Sequence, residues 1–242
     1  MENLLLVVLL ALVPAAANML GGLVAEVVSL SERVFSAALH LAVGIVIAVI
    51  GLELMPRALE AEPVWVPLVA FIVGGGLFLG VDALSGFLRA RAGKRGTGGA
   101  LGIYFGVALD LFSDGVMIGT GSVINPALGL LLAVGQAPAD LPEGFAAQAA
   151  FRRAGVARRW RVLAGAGFVV PILLGAVLGY LALRDAPEVV TLSVLAFTGG
   201  ALLSVVIEEM IPEAHEAKQS RLDSFYLTVG FVIFAAVSVY LG

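Results

Sequence analysis

Residues 106–119 read GVALDLFSDGVMIG and residues 136–148 read QAPADLPEGFAAQ. Each is an apolar stretch carrying two acids, Asp110 and Asp114 in the first and Asp140 and Glu143 in the second. Spacings of four and three residues put each pair on one helical face, a turn apart. A charged side chain at the centre of a bilayer costs about 2.5–3.5 kcal/mol on the most lenient scale, so such groups face a cavity or an ion path rather than lipid. No Lys or Arg falls between residues 96 and 151 to neutralise them. Four acids at one level, with no base beside them, imply a cation.

The rest of the chain supplies the membrane around those acids. Of 242 residues, 60% are hydrophobic and 13% charged, with a mean hydropathy of +1.05, whereas a soluble domain carries about 25% charged residues. A spanning helix takes about 20 mostly apolar residues. The chain divides into such stretches at 3–26, 35–55, 64–88, 100–124, 127–150, 162–183, 189–212 and 223–242, leaving little for anything soluble. The expected fold is all-α, a polytopic membrane protein with eight transmembrane helices, residues 1–242 forming one domain. Pro14-Ala15-Ala16-Ala17 resembles a cleavage region, but no positive charge precedes it and the apolar run continues to Val28, so the first helix is expected to be retained. Cysteine is absent, which excludes disulfides and thiolate ligands.

Basic residues orient the chain. With the amino terminus outside, the loops after helices one, three, five and seven hold Arg33; Arg89, Arg91, Lys94 and Arg95; Arg152, Arg153, Arg158, Arg159 and Arg161; and Lys218 and Arg221. Only Arg57 and Arg184 fall on the other side. This bias predicts a multi-pass protein of the cell (inner) membrane with both termini outside. It also explains the basic loops without any nucleic acid. Asp82, near the inner end of helix three, is expected to pair with a neighbouring arginine.

Helices two and seven end alike, as GLELMPRALEA at 51–61 and IEEMIPEAHEA at 207–217. Without gaps, Glu53 meets Glu209, Pro56 meets Pro212, Glu60 meets Glu216, and Gly44 and Gly200 fall in register upstream. One copy ends outside and the other inside, so helices 1–3 and 6–8 read as inverted repeats around a central pair, helices four and five. Binding sites of such carriers lie at the midplane between the repeats. Asn125-Pro126 closes a short turn between the central helices. Asp114 and Asp140 then differ in depth by only ~5 Å at 1.5 Å per residue. Pro142 removes a backbone hydrogen bond and frees a carbonyl about one turn earlier, near Pro138 or Ala139. Gly102, Gly106, Gly115, Gly119 and Gly121 permit close helix contact.

A single membrane acid often does no more than hydrogen-bond a neighbouring helix, a reading that three aspartates and a glutamate at one level weaken. The expected metal site is Asp110, Asp114, Asp140 and Glu143. Glu53, Glu208 and Glu209 sit nearer helix ends, where solvated or interfacial placement competes with a pathway role. His40 and His215 complete the pathway positions; His40 could equally be packed and neutral.

At these residues the chain resembles the ZIP family of divalent metal transporters. Asp110-Leu111-Phe112-Ser113-Asp114-Gly115 is similar to the family's H-N-x-x-D-G, and Ala139-Asp140-Leu141-Pro142-Glu143-Gly144 to its H-E-x-P-E-G. FRRAGVARRWR at 151–161 resembles the L-R-x-x-G-x-S-R-R loop, and Asn18-Met19-Leu20-Gly21-Gly22 and the EEMIPEAHEA end of helix seven also look familial. The chain departs where Asp110 and Ala139 replace histidines, Leu111 an asparagine, Val170 a glutamate before Pro171, and Val46 a methionine. One oxygen-lined site is therefore expected rather than two. Loss of imidazole and thioether favours harder ions, though zinc accepts oxygen ligands too.

The resemblance implies a divalent metal cation, zinc or a related ion such as manganese or iron, as substrate rather than cofactor. A homodimer is the assembly considered. The ion would pass by alternating access, and the empty carboxylates would share protons because like charges resist joint ionisation. Rival readings are a proton- or sodium-coupled carrier of another substrate and a non-transporting sensor or assembly protein. An enzyme is not expected: Asp114-Gly115 has the glycine on the wrong side for an intramembrane aspartyl protease.

Overall fold

The computed structural model describes residues 2–92, 97–217 and 220–241, with side chains over 3–80, 100–216 and 220–241. The expected partner of Asp82, and the side chains of Arg89, Arg91, Lys94, Arg95 and Lys218, lie outside the described residues. In chain order the helices are α1 (Glu2–Val27), α2 (Glu32–Ala58), α3 (Trp65–Ala92), α4 (Thr97–Ile124), α5 (Pro126–Arg153), α6 (Arg158–Leu183), α7 (Glu188–Glu216) and α8 (Asp223–Leu241). Among the described residues there is no strand. An all-helical chain satisfies its own backbone polar groups, which the bilayer demands.

By length and composition, α1, α2, α4, α6, α7 and α8 are apolar enough to cross a membrane, and α3 contributes an apolar run over Trp65–Gly80. Helix α5 falls short because Gln136, Asp140, Glu143, Gln148 and two internal prolines dilute it. Outward faces are apolar: Ile72 is 72% exposed, Phe105 67% and Val239 79%, a surface suited to lipid.

The join between α4 and α5 is a single residue. Asn125 is extended (φ −161°, ψ 153°) and its side-chain oxygen accepts the Leu128 N–H at 2.7 Å, while Pro126 occupies the first helical position, where no N–H is needed. At its other end α5 closes on Gly155, whose φ of +79° only glycine adopts without strain. The Val156 N–H then returns to the Phe151 carbonyl, the closing bond of a Schellman turn.

Glycine sets the helix pairings. α1 packs on α5, α4 on α6, α3 on α7 and α2 on α8. A Cβ on Gly21 would overlap the Leu141 backbone and one on Gly144 the Asn18 backbone. The same reciprocity joins Gly115 to Ile172 and Gly175 to Phe112, Gly74 to Phe197 and Gly200 to Phe71, and Gly44 to Leu227 and Gly230 to Leu41. Such contact is how membrane helices gain packing without a hydrophobic driving force. Helices α4 and α5 also touch each other, but each is gripped most tightly by a flanking helix.

Helices α2 and α7 each contain one π-helical turn, Val49–Leu54 and Val206–Met210, immediately upstream of Pro56 and Pro212. The Met55 N–H bonds to the Ile50 carbonyl and the Ile211 N–H to the Val206 carbonyl, five residues back in both. His40 near the start of α2 meets His215 near the end of α7, so the two helices are antiparallel and these turns lie toward opposite ends of the bundle.

Candidate functional site

Between α2, α4, α5 and α7 lies a cavity of about 50 Å³, room for a partly hydrated ion given that one water needs about 10–15 Å³. Asp110 and Asp114 line it from α4, Gln136, Ala139, Asp140 and Glu143 from α5, Glu209, Met210 and Glu213 from α7, and Leu39 and Val46 from α2. Among the described lining residues none is basic. The apolar walls are Leu39, Val46, Leu202 and Val205, which keep the local dielectric low and the acids strongly felt.

The four carboxyls predicted from sequence meet here. Asp114 and Asp140 are buried, at 3% and 1% exposure, while Asp110 and Glu143 are half-buried. Asp110 interacts with Glu143, Asp114 with Asp140, and Asp140 with Glu143. Glu209 is felt by Asp110 and Glu143, and Glu213 by Glu209 in turn. The acids thus form a sequence from the deep pair, Asp114 and Asp140, through Asp110 and Glu143 to Glu209 and Glu213 on α7.

Gln136 was missed in the sequence. It is 1% exposed and its amide nitrogen donates to Asp114 Oδ1. The Gln136 carbonyl oxygen and Asp140 Oδ2 are buried with no hydrogen-bond partner. Oxygens in that condition are costly unless something else occupies them. Asn18 on α1, 1% exposed, is likewise unpartnered at both amide atoms. A signal for Gln136 existed: Asp114 and Gln136 each lie eleven residues from Asn125, so a one-residue turn puts them level.

The remaining pathway positions separate. Glu208 and Glu209 are both exposed, and of the two Glu209 is the one among the cavity's lining residues. Glu53 is not solvated: it is 4% exposed, paired with Arg57 at 3.2 Å and accepting a hydrogen bond from the Ser238 hydroxyl. It sits away from the cavity because α2 and α7 run in opposite directions. His40 and His215 lie ring to ring outside the cavity, centroids 5.3 Å apart. The basic loop after α5 does more than orient the chain. Arg161 grips Glu26 with two bonds of 2.7 Å and Arg158 approaches the same carboxylate at 3.4 Å, tying the end of α1 to the start of α6, while Arg152 donates to the Ala25 carbonyl from the end of α5.

Residues 89–238 match the ZIP zinc transporter family. The chain belongs to this family. It is 35% identical to the zinc transporter GufA of Myxococcus xanthus over 182 residues, covering 72% of this chain and 70% of that protein. Membership makes this a multi-pass membrane protein of a metal-ion transporting family. The departures from the ZIP motifs now have positions. Asp110 lines the cavity in place of a histidine, and Ala139 lines it without a donor. Leu111 is fully buried among Val7, Ala11, Phe168 and Ile172, in the apolar packing of α1 and α6. Val170 is 57% exposed and α6 gives the cavity no residue. The thioether missing at Val46 has a counterpart in Met210, which lines the same cavity from α7.

Proposed function

We propose that this ZIP chain carries a divalent cation, zinc or a related ion such as manganese or iron, across the cell membrane by alternating access through the cavity between α4 and α5. The observation that supports the reading is the convergence of Asp110, Asp114, Asp140 and Glu143 on one small cavity with no basic side chain among its lining residues. Asp140 Oδ2 and the Gln136 carbonyl, buried and unpartnered, are the two protein oxygens most in need of a cation. Met210 adds a soft donor that zinc and iron accept and magnesium does not use.

Eight membrane spans with both termini outside, and inverted repeats of α1–α3 and α6–α8, complete the proposal. Three features support the repeats. The π turns precede Pro56 and Pro212 in the same register. Exchange of α1 with α6, α2 with α7, α3 with α8 and α4 with α5 turns the pairings α1–α5 and α2–α8 into α6–α4 and α7–α3, which are the other two close pairs. Val46 and Leu202, equivalent in that register, both line the cavity. Rocking of one repeat against the other would then open the site to either side.

The test is uptake of radiolabelled zinc and manganese into proteoliposomes. Asp140→Asn with Glu143→Gln is expected to abolish uptake while leaving the protein folded. Uptake at the native rate in that double variant would show that the ion does not use this cavity.

A further inference from the structure

The chain has two histidines, and the fold brings both to one place. His40 lies near the start of α2 and His215 near the end of α7, with rings 5.3 Å apart and inclined at 47°. The first residue of α8, Asp223, joins them: one ligand atom from each of the three lies within 4.8 Å of the others. The cluster stands beyond one end of the cavity. Leu39, the neighbour of His40, lines the cavity, and so do Glu209 and Glu213 on the helix leading to His215. Six residues from Glu209 to His215 are about 9 Å at 1.5 Å per residue.

The ring of His40 is set for ligation. It is 4% exposed, and Nδ1 lies 2.8 Å from the Ser36 carbonyl oxygen. A carbonyl only accepts, so Nδ1 carries the proton and Nε2 carries the lone pair. Metal-binding histidines are held in this way, with the second ring nitrogen donating to a carbonyl or carboxylate that fixes tautomer and orientation. Ligand atoms on a tetrahedral zinc stand about 3.3 Å apart, and His215, which is exposed, has the freedom to close the remaining gap.

We propose that His40, His215 and Asp223 form a second divalent-cation site at the mouth of the cavity on the His215 side. Its two imidazoles and one carboxylate suit zinc, cobalt or iron(II) and select against magnesium and calcium. Three protein ligands leave a coordination position for water, so an ion exchanges there rather than being sealed in. Imidazole, which this chain lacks at mid-membrane, is supplied at the threshold instead. The site's place on the transport path rests on the proposed carrier function; the ligand cluster itself does not.

The experiment therefore uses chains whose central site is disabled by Asp140→Asn and Glu143→Gln, purified in nanodiscs and titrated with Co²⁺. One cobalt per chain is expected, with visible absorption of nitrogen–oxygen coordination and displacement by zinc. His215→Gln, exposed and safe for folding, should weaken that binding at least tenfold, as should His40→Gln, and Asp223→Asn several-fold. In the otherwise native chain, His215→Gln should slow zinc uptake several-fold and leave manganese uptake less affected. Absence of cobalt binding in the centrally disabled chain, or cobalt binding unchanged by His215→Gln, would overturn the proposal. Cobalt bound at the histidines in a native chain that takes up no metal would overturn the carrier reading alone, since the site would still have been found.

Discussion

Replacing Gly144 by alanine adds one methyl group at the contact that positions half of the carboxylates. The added carbon would lie 2.7 Å from the Asn18 carbonyl carbon and 3.0 Å from its Cα, against the 3.4 Å at which ordinary contact begins. Both neighbours are backbone, so no rotamer change relieves them, and α1 must part from α5 by about 0.7 Å at the least. Overpacking of this kind costs about 1–3 kcal/mol. At about 2–4 °C per kcal/mol for a chain of this size, the melting temperature should fall by about 2–12 °C. Glu143 is adjacent and Asp140 one turn away, so the same shift moves two carboxylates relative to Asp110 and Asp114. A displacement of that order is enough to cost about 100-fold where geometry governs a rate. The assay is a pair of measurements, thermal unfolding in detergent and initial zinc uptake in proteoliposomes. Gly76→Ala serves as control, because nothing lies within 4 Å of the carbon it adds; an exposed helical glycine gains about 0.5–1 kcal/mol on becoming alanine. If Gly144→Ala behaves like Gly76→Ala in both measurements, the close α1–α5 contact does not hold the site.

Gln136→Leu removes the donor to Asp114 and should lower zinc uptake about 10- to 100-fold, from the ~1.5–3 kcal/mol of a hydrogen bond to a charged group; Gln136→Asn should restore part of it. Gly155→Ala forces an L side chain to φ +79° and should cost about 1–2 kcal/mol in thermal unfolding. Arg161→Ala should destabilise by less than the ~3–5 kcal/mol of a broken buried pair, because Arg158 still approaches Glu26 at 3.4 Å. Met210→Leu keeps volume and removes the one thioether-bearing side chain among the described lining residues; uptake of cadmium and zinc should fall several-fold in a metal scan while manganese uptake changes little.

The parts of this protein legible in its sequence are those a single helix decides. Asp110 with Asp114 and Asp140 with Glu143 share faces because of their spacing alone, and the turn at Asn125-Pro126 fixes their relative depth. The flanking positions stay open in the sequence wherever the answer depends on which helices meet. Glu53 reads as an interfacial acid near a helix end, yet it is buried because Arg57, one turn on, and Ser238 from α8 close over it. Glu208 and Glu209 are indistinguishable by hydropathy; both lie in the π turn of α7, and Glu209 is the one that lines the cavity. The glycines of α4 permit close contact, but which helix each meets is set by the bundle: Gly115 and Gly119 face Ile172 and Ala176 of α6, while Gly121 faces Leu128 and Leu132 of α5.

The same distinction bears on which metals this ZIP chain takes. Counted along the family motifs, the chain loses imidazole at Asp110 and Ala139 and thioether at Val46, and on that count the site should turn to hard ions. Counted around the cavity, donors from another helix re-enter, because a binding site is a property of the space between helices and not of any one of them. Met210 stands on α7, the helix whose register mirrors that of α2, where Val46 stands. In the proposed carrier, a Met210 sulfur turned into the cavity would meet the coordination need that the substitution opened, leaving the carboxylates of α4 and α5 in place. A hard ion gains nothing from it, whereas a borderline ion gains a bond. Selectivity in the proposed carrier then depends on the balance between four carboxyls and one thioether, and it is this balance that substitutions at Asp110 and Met210 would tilt in opposite directions.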